Sequence, residues 1–313
     1  MSLQTAGFQR GFVWRRPQMD KFIESLLLGY PIPGIILVLQ PDKRYLVLDG
    51  QQRLRTLQAF YKGVHQDQEF SLKNTAEQFQ GLTYATLSAE QRRQLDNTFI
   101  QATIVKAEST RESLEAVYQV FERMNSGGTQ LTPHEIRIAL YPGPFVDWLA
   151  NLNTLQDWRH LYGLESPRLR DQELILRIVA LFLNAEHYER PLKQFLNNFI
   201  GEHRDLQDID HERVVKLFSR SVQLIYAAVG RSALRFQSNQ VNMALTEALF
   251  VGLMRRLDSG RAVDEATVAS SYQRLLADER LTAAISGSTS TEENLKARLE
   301  VATAIFSRPQ RNS

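Results

Sequence analysis

Residues 45–63 read YLVLDGQQRLRTLQAFYKG. Tyr45–Leu48 is a short apolar run of the kind that forms a buried strand. From Leu54 the pattern changes: Leu54, Leu57 and Tyr61 recur at helical spacing, and Gly63 offers a stop. Between the two lie Asp49, Gly50, Gln51, Gln52 and Arg53, with no apolar residue among them. The stretch therefore predicts a strand that turns into a helix over a wholly polar junction. Asp49 is expected to cap the helix, with Gln52 three residues on completing a D-x-x-Q capping arrangement. Gly50 lets a backbone or a ligand approach closely. A helix start carries unpaired N–H groups and a partial positive charge, and Arg53 and Arg55 add full charges, so the junction suits an anion. The Gln51 and Gln52 amides can read donor and acceptor edges, and Asp49 can ligate a metal or orient a water. Capping alone, with solvated arginines, is the plain structural alternative.

Upstream, PQMDKFIESLLLG places Met19, Phe22, Ile23, Leu26 and Leu27 on one helical face, with Pro17 near the start and Gly29 at the stop. YPIPG breaks that helix, IILVLQ reads as a buried strand, and PDKR supplies the turn of a hairpin into YLVL. Downstream, residues 64–96 are polar and weakly patterned, an insertion with short helices. FIQATIVKAE reads as a strand, and TRESLEAVYQVFERMN as a helix closed by Gly127 and Gly128. In LTPHEI, Thr132 and Glu135 form a capping box behind Pro133, with His134 expected as an exposed first-turn residue. Beyond YPGPF every convincing segment is helical: 145–160, 171–187, 191–200, 211–230, 240–258, 264–277 and 292–306. The expected fold class is α+β: a small mixed domain over residues 1–141, then an all-helical region over 142–313.

The chain has 313 residues, long enough to bury a real core, and its 43% hydrophobic content argues against wholesale disorder. It has no cysteine, which excludes a disulfide scaffold, a thiolate zinc site and a cysteine nucleophile. The opening MSLQTAGFQRGFVWRR has no apolar core of signal-peptide length, and no run approaches the ~18 apolar residues of a membrane span. A cytoplasmic protein without membrane contact is expected. Residues 1–62 hold nine Lys/Arg against four acids, a local +5 in a chain of net +2. That imbalance directs attention to nucleotides or nucleic acid near the N-terminus. The six histidines, at 65, 134, 160, 187, 203 and 211, are scattered, with no H-x-x-P context. No Walker A, H-E-x-x-H or G-x-S-x-G motif is present.

Three ordered blocks carry a family resemblance. LDGQQRLRTLQAF resembles the D-G-Q-Q-R motif of the N-terminal domain of GmrSD-type modification-dependent restriction systems, which has a ParB/sulfiredoxin-like fold. FQRGFVW (residues 8–14) resembles that family's opening Y-Q-R-x-Y-x-W element, with Phe8 and Phe12 at its aromatic positions. VFERMNSGGTQLTPHEIRIAL (120–140) resembles its F-x-x-x-N-x-x-G-x-x-L-x-x-x-E-I/L block. The resemblance implies a prokaryotic defence protein that binds and hydrolyses a nucleoside triphosphate, with GTP, ATP and CTP left open. It also implies Mg²⁺, recognition of modified DNA, and cleavage through an HNH nuclease domain, here expected on a separate subunit.

Carried over by motif, Asp49, Gln52 and Arg53 would be catalytic, with Asp49 the metal ligand. Gln9, Arg10, Trp14, Asp49, Gly50, Gln51, Gln52, Arg53, Asn125 and Gly128 would form the nucleotide site. Two rival readings use the same residues: a DNA-binding module without turnover, gripping through the basic set with Phe8, Phe12 and Trp14, and a nuclease acting from the ParB-like domain itself.

Overall fold

The computed structural model describes residues 3–4, 14–39, 43–106, 110–124 and 131–307. Gln9, Arg10, Asn125 and Gly128 lie outside them, as does the expected glycine stop at 127–128. The chain forms two compact units, Met1–Leu131 and Thr132–Ser313.

In the first unit, α1 (Arg16–Leu27) starts with a proline in its first turn. It buries Met19, Phe22, Ile23, Leu26 and Leu27, the face read from the sequence. The same helix also buries two acids that hydropathy does not single out. Asp20 is fully buried and accepts from Arg16 Nε (3.0 Å), the Lys73 and Asn74 N–H groups and Asn74 Nδ2 (2.7 Å). Glu24, one turn on, accepts from the Ala76 N–H and from Lys21 Nζ. Burial raises the Glu24 pKa, but the Lys21 bond and the Ala76 N–H outweigh it and the net shift is downward. The two carboxylates thus fix residues 73–76, in the polar insertion, onto α1.

The sheet is small. β2 (Ile35–Leu39) and β3 (Tyr45–Asp49) pair antiparallel, as the hairpin reading expected. β1 (Leu3–Gln4) runs parallel to β3, and a later strand closes the other side of β2, giving the order β1-β3-β2-β6. α2 (Gln51–Lys62) follows β3 and ends at Gly63, which takes a left-handed φ of 71°. Its fully buried stripe runs through Thr56, Ala59 and Phe60 rather than along Leu54–Leu57–Tyr61. The helix serves two clusters: Leu54 packs with Ile35, Leu37 and Val47 of the sheet, and Leu57 with the α1 cluster. Tyr61 points outward and donates to Asp96, which Tyr84 also bonds.

The insertion holds a hairpin that the sequence reading missed, β4 (Val64–His65) and β5 (Gln68–Glu69). Gln66 and Asp67 both have positive φ, a two-residue turn built without the usual Asn-Gly or Asp-Gly. Two single 3₁₀ turns and α3 (Ala89–Asp96), capped by Ser88, complete it. β6 (Ala102–Lys106) then pairs parallel to β2, and α4 (Arg111–Met124) follows.

The second unit is helical throughout: α5 (Pro133–Leu140), α6 (Pro144–Thr154), α7 (Gln156–Tyr162), α8 (Arg170–Asn184), α9 (Leu192–Glu202), α10 (His211–Val229), α11 (Met243–Asp258), α12 (Glu265–Ala277), α13 (Glu279–Ser286) and α14 (Glu292–Ser307). The segment expected as one helix over 145–160 is two, broken at extended Leu155. α13 was not read from the sequence, although Asp278 caps it by accepting from the Leu281 N–H. α11 is the central helix, buried from Ala244 to Met254. Gly252 lets α14 come close, since a Cβ there would lie 2.9 Å from Phe306 and 3.0 Å from Ala302. Glu247 sits in this core between Arg177 and Arg298.

Thr132 and Glu135 make the expected capping box. His134, expected to be exposed, is fully buried. Every residue of α5 after the exposed Pro133 is buried, so the His134 ring has no solvent side. The His134 Nδ1 accepts from Arg137 Nη1 (3.2 Å), which leaves Nε2–H to donate to Gln172 Oε1 (3.1 Å). Burial, and then the Arg137 charge, push its pKa down to about 3. No helix among the described residues is long and apolar enough to cross a membrane.

Candidate functional site

The polar junction lies where β3 ends. The ladder pairs Leu37 with Val47 and then Ile36 with Asp49, so Leu48 is an extra residue on β3. Such a bulge breaks the alternation of a strand and re-aims the residue that follows. Asp49 is the residue re-aimed, and its side chain is 58% exposed.

Gly50 comes next, with φ 92° and ψ 5°. A Cβ at this position would fall 2.4 Å from Ile35 Cγ2 and 3.0 Å from Ile35 Cβ. Only glycine fits both the left-handed backbone and the contact. The Gly50 carbonyl accepts the first helical bond, from the Leu54 N–H (2.9 Å), and as the cap residue Gly50 brings no side chain to α2. This corrects the expectation that Asp49 is the N-cap. The cap residue is Gly50, and the carboxylate, one residue earlier, reaches forward to Arg53 instead.

Arg53 is the centre of the arrangement. Its side chain is only 12% exposed, and Nη2 donates both to the Gly34 carbonyl (2.9 Å) and to Asp49 Oδ2 (2.9 Å). Its Nε is buried with no hydrogen-bond partner among the described residues. Gly34 has its own steric reason: a Cβ there would lie 2.8 Å from the Gln101 carbonyl oxygen, ahead of β6. The Ile35 N–H donates to that same oxygen (2.8 Å). The Gly34 carbonyl is thus a site contact that motif reading did not supply, although the IPG break before IILV marks the place.

Gln52 is committed differently. Its Oε1 accepts from the Trp14 N–H (3.2 Å), which ties the start of the described chain before α1 to the first turn of α2. The Trp14 ring packs edge-on against Phe22, with centroids 5.5 Å apart. Trp14, Asp49, Gly50, Gln52 and Arg53 are therefore brought together, with Gln51 half-buried on the same first turn.

Among the described residues, no group of three or more His, Asp or Glu gathers to hold a metal ion. Asp49, already paired with a guanidinium, does not by itself make a protein-held cation site. Glu135 is likewise occupied, by its capping box and by Arg168. An open depression of about 810 Å³ in the helical unit lies between α10 and α12, lined by Ala228, Ser232, Ala266, Ala269, Ser270 and Leu276. Its one cation, Arg235, already donates to the Tyr162 and Asn239 carbonyls.

Fold and site together define a small α+β unit in which a glycine-opened helix start holds an arginine mostly out of solvent, followed by a helical unit. Residues 2–142 match the family model described as GmrSD restriction endonuclease, N-terminal domain. The resemblance read from the three motif blocks therefore stands over that stretch, slightly less than half of the chain. The match ends beyond the structural division at 131, so α5 falls within it while packing in the second unit. No curated protein and no solved structure matches the chain.

Proposed function

We propose that this chain is the nucleotide-binding component of a restriction or anti-phage system, taking a nucleoside triphosphate at the start of α2 and hydrolysing it. The observation that carries the reading is Arg53: a guanidinium almost out of solvent, aimed by the Gly34 carbonyl, on the first turn of a helix whose cap residue is a glycine. Guanidinium and helix-start N–H groups together are donors of the type that hold phosphate oxygens. The family match to a restriction endonuclease domain supplies the biological setting.

In this reading a phosphate oxygen takes the place of the Asp49 carboxylate at Arg53 Nη2. The freed carboxylate accepts the proton of a water attacking the terminal phosphorus, the bond from that phosphorus to the bridging oxygen breaks so that the nucleoside diphosphate leaves, and Arg53 stabilises the charge that builds on the equatorial oxygens. Gln52 keeps Trp14 against the site. Magnesium is part of the substrate, carried by the phosphates. DNA cleavage belongs to a separate nuclease subunit, and the cationic excess before residue 63 gives a DNA contact that weakens with salt.

The deciding experiment is calorimetric titration of the purified chain with GTP, ATP and CTP in Mg²⁺, followed by phosphate release with and without DNA. Saturable binding of at least one nucleotide is expected, with turnover. Absence of binding for all three, in folded protein, refutes the reading.

A further inference from the structure

Phe99 is 95% exposed, and among phenylalanines whose side chains are described it alone stands in solvent. Single exposed apolar residues are ordinary on protein surfaces. This one has a specific place. The next residue, Ile100, packs inward on the Ile35, Leu37 and Val47 cluster, so the chain that buries Ile100 leaves Phe99 outside. Two residues further, Gln101 lies against Gly34, whose carbonyl receives Arg53. Two residues span at most about 7 Å of chain, so Phe99 belongs to the Arg53 end of the sheet and not to the Lys106 end. A second exposed aromatic, Tyr30 at 58%, lies on the other connector leading into Gly34.

An aromatic face in water at the same sheet end as a phosphate-type cation offers two contacts that a nucleotide can satisfy at once, with its base on one and its phosphates on the other. We infer that Phe99 is the base-stacking residue of this site, which rests on the nucleotide reading above. Stacking uses the π-face that every base has, so Phe99 raises affinity for nucleotides in general without selecting among them.

The test compares wild type, Phe99→Ala and Phe99→Trp as full chains, by calorimetry with nucleoside triphosphate and with inorganic tripolyphosphate. Phe99→Ala is expected to weaken nucleotide binding about ten- to hundredfold, the range for losing one stacked base. Tripolyphosphate affinity and melting temperature should not move, because the ring makes no core contact. Phe99→Trp should restore affinity, and the emission it adds over wild type should be quenched by nucleotide but not by tripolyphosphate. Nucleotide affinity unchanged in Phe99→Ala, or an equal loss for tripolyphosphate, overturns the inference while leaving the nucleotide reading intact. A wild type that binds neither ligand overturns both.

Discussion

Replacing Gly50 by alanine separates two reasons for a glycine in this motif, and Gly63 at the other end of α2 is the built-in control. Both have left-handed backbones, with φ 92° and 71°. An alanine at Gly63 meets nothing within 4 Å, so it bears only the conformational cost, about 1–2 kcal/mol. At Gly50 the same cost applies, and the new methyl lands 2.4 Å from Ile35 Cγ2 and 3.2 Å from Arg53 Nη2. Forcing a methyl into a packed site adds about 1–3 kcal/mol, so Gly50→Ala should lose about 2–5 kcal/mol in all. The opening free energies of the α2 amides, read by native-state hydrogen exchange over residues 51–62, report both variants on one helix. Ile35→Ala should relieve part of the Gly50→Ala defect, visible as a non-additive double mutant. Equal losses for the two alanines, within about 0.5 kcal/mol, would show that the contact with Ile35 does not constrain the glycine.

Arg53→Ala should weaken nucleotide binding by about 1.5–3 kcal/mol, measured by calorimetry, and also lower stability by about 1–2 kcal/mol because the Gly34 carbonyl loses its donor. Asp49→Asn keeps an acceptor for Arg53 at a half-exposed position, so folding should survive while phosphate release falls about 10²–10⁴-fold; full turnover would remove the charged role. Acid should destabilise the second unit through His134. The unfolded imidazole takes its proton near pH 6.5 and the folded one only near 3, so stability is lost as pH falls through that window, by about 1.4 kcal/mol per unit. His134→Gln should flatten the profile of an acid-unfolding titration, and an unchanged slope would contradict the buried neutral ring.

The elements legible in the sequence were those that local chemistry specifies. The apolar stripe of α1 with its proline and glycine marks, the capping box of α5, and the hairpin of β2 and β3 all appear where periodicity and turn residues put them. What stayed hidden depends on long-range partners. Nothing near Asp20 announces that it will bind the backbone of residues 73 and 74, and nothing near His134 announces Gln172, 38 residues on. The β4–β5 turn was missed because Gln66 and Asp67 adopt a backbone normally signalled by glycine or asparagine. In α2, a single apolar face was expected, but the helix lies between two clusters and divides its leucines between them.

At the site the same division holds. The motif DGQQR gave the residues, but not the bulge at Leu48, which is a property of the pairing with β2 and sends the Asp49 carboxylate to Arg53 instead of over the first turn. Folding alone accounts for much of the motif: Gly50 by contact with Ile35, Gln52 by its bond to Trp14, and Asp49 with Arg53 as an ion pair spaced one helical turn apart. It does not account for the state of Arg53. A guanidinium that is 12% exposed, donating through one nitrogen to two acceptors and with Nε unpartnered among the described residues, bears much of the desolvation cost of a charge while its partner stays 58% in solvent. A pair kept for stability alone could be replaced by well-packed apolar side chains without loss. A cation kept for an incoming anion needs the opposite: a fixed arginine, and a carboxylate exposed enough to leave it. The geometry here has that asymmetry.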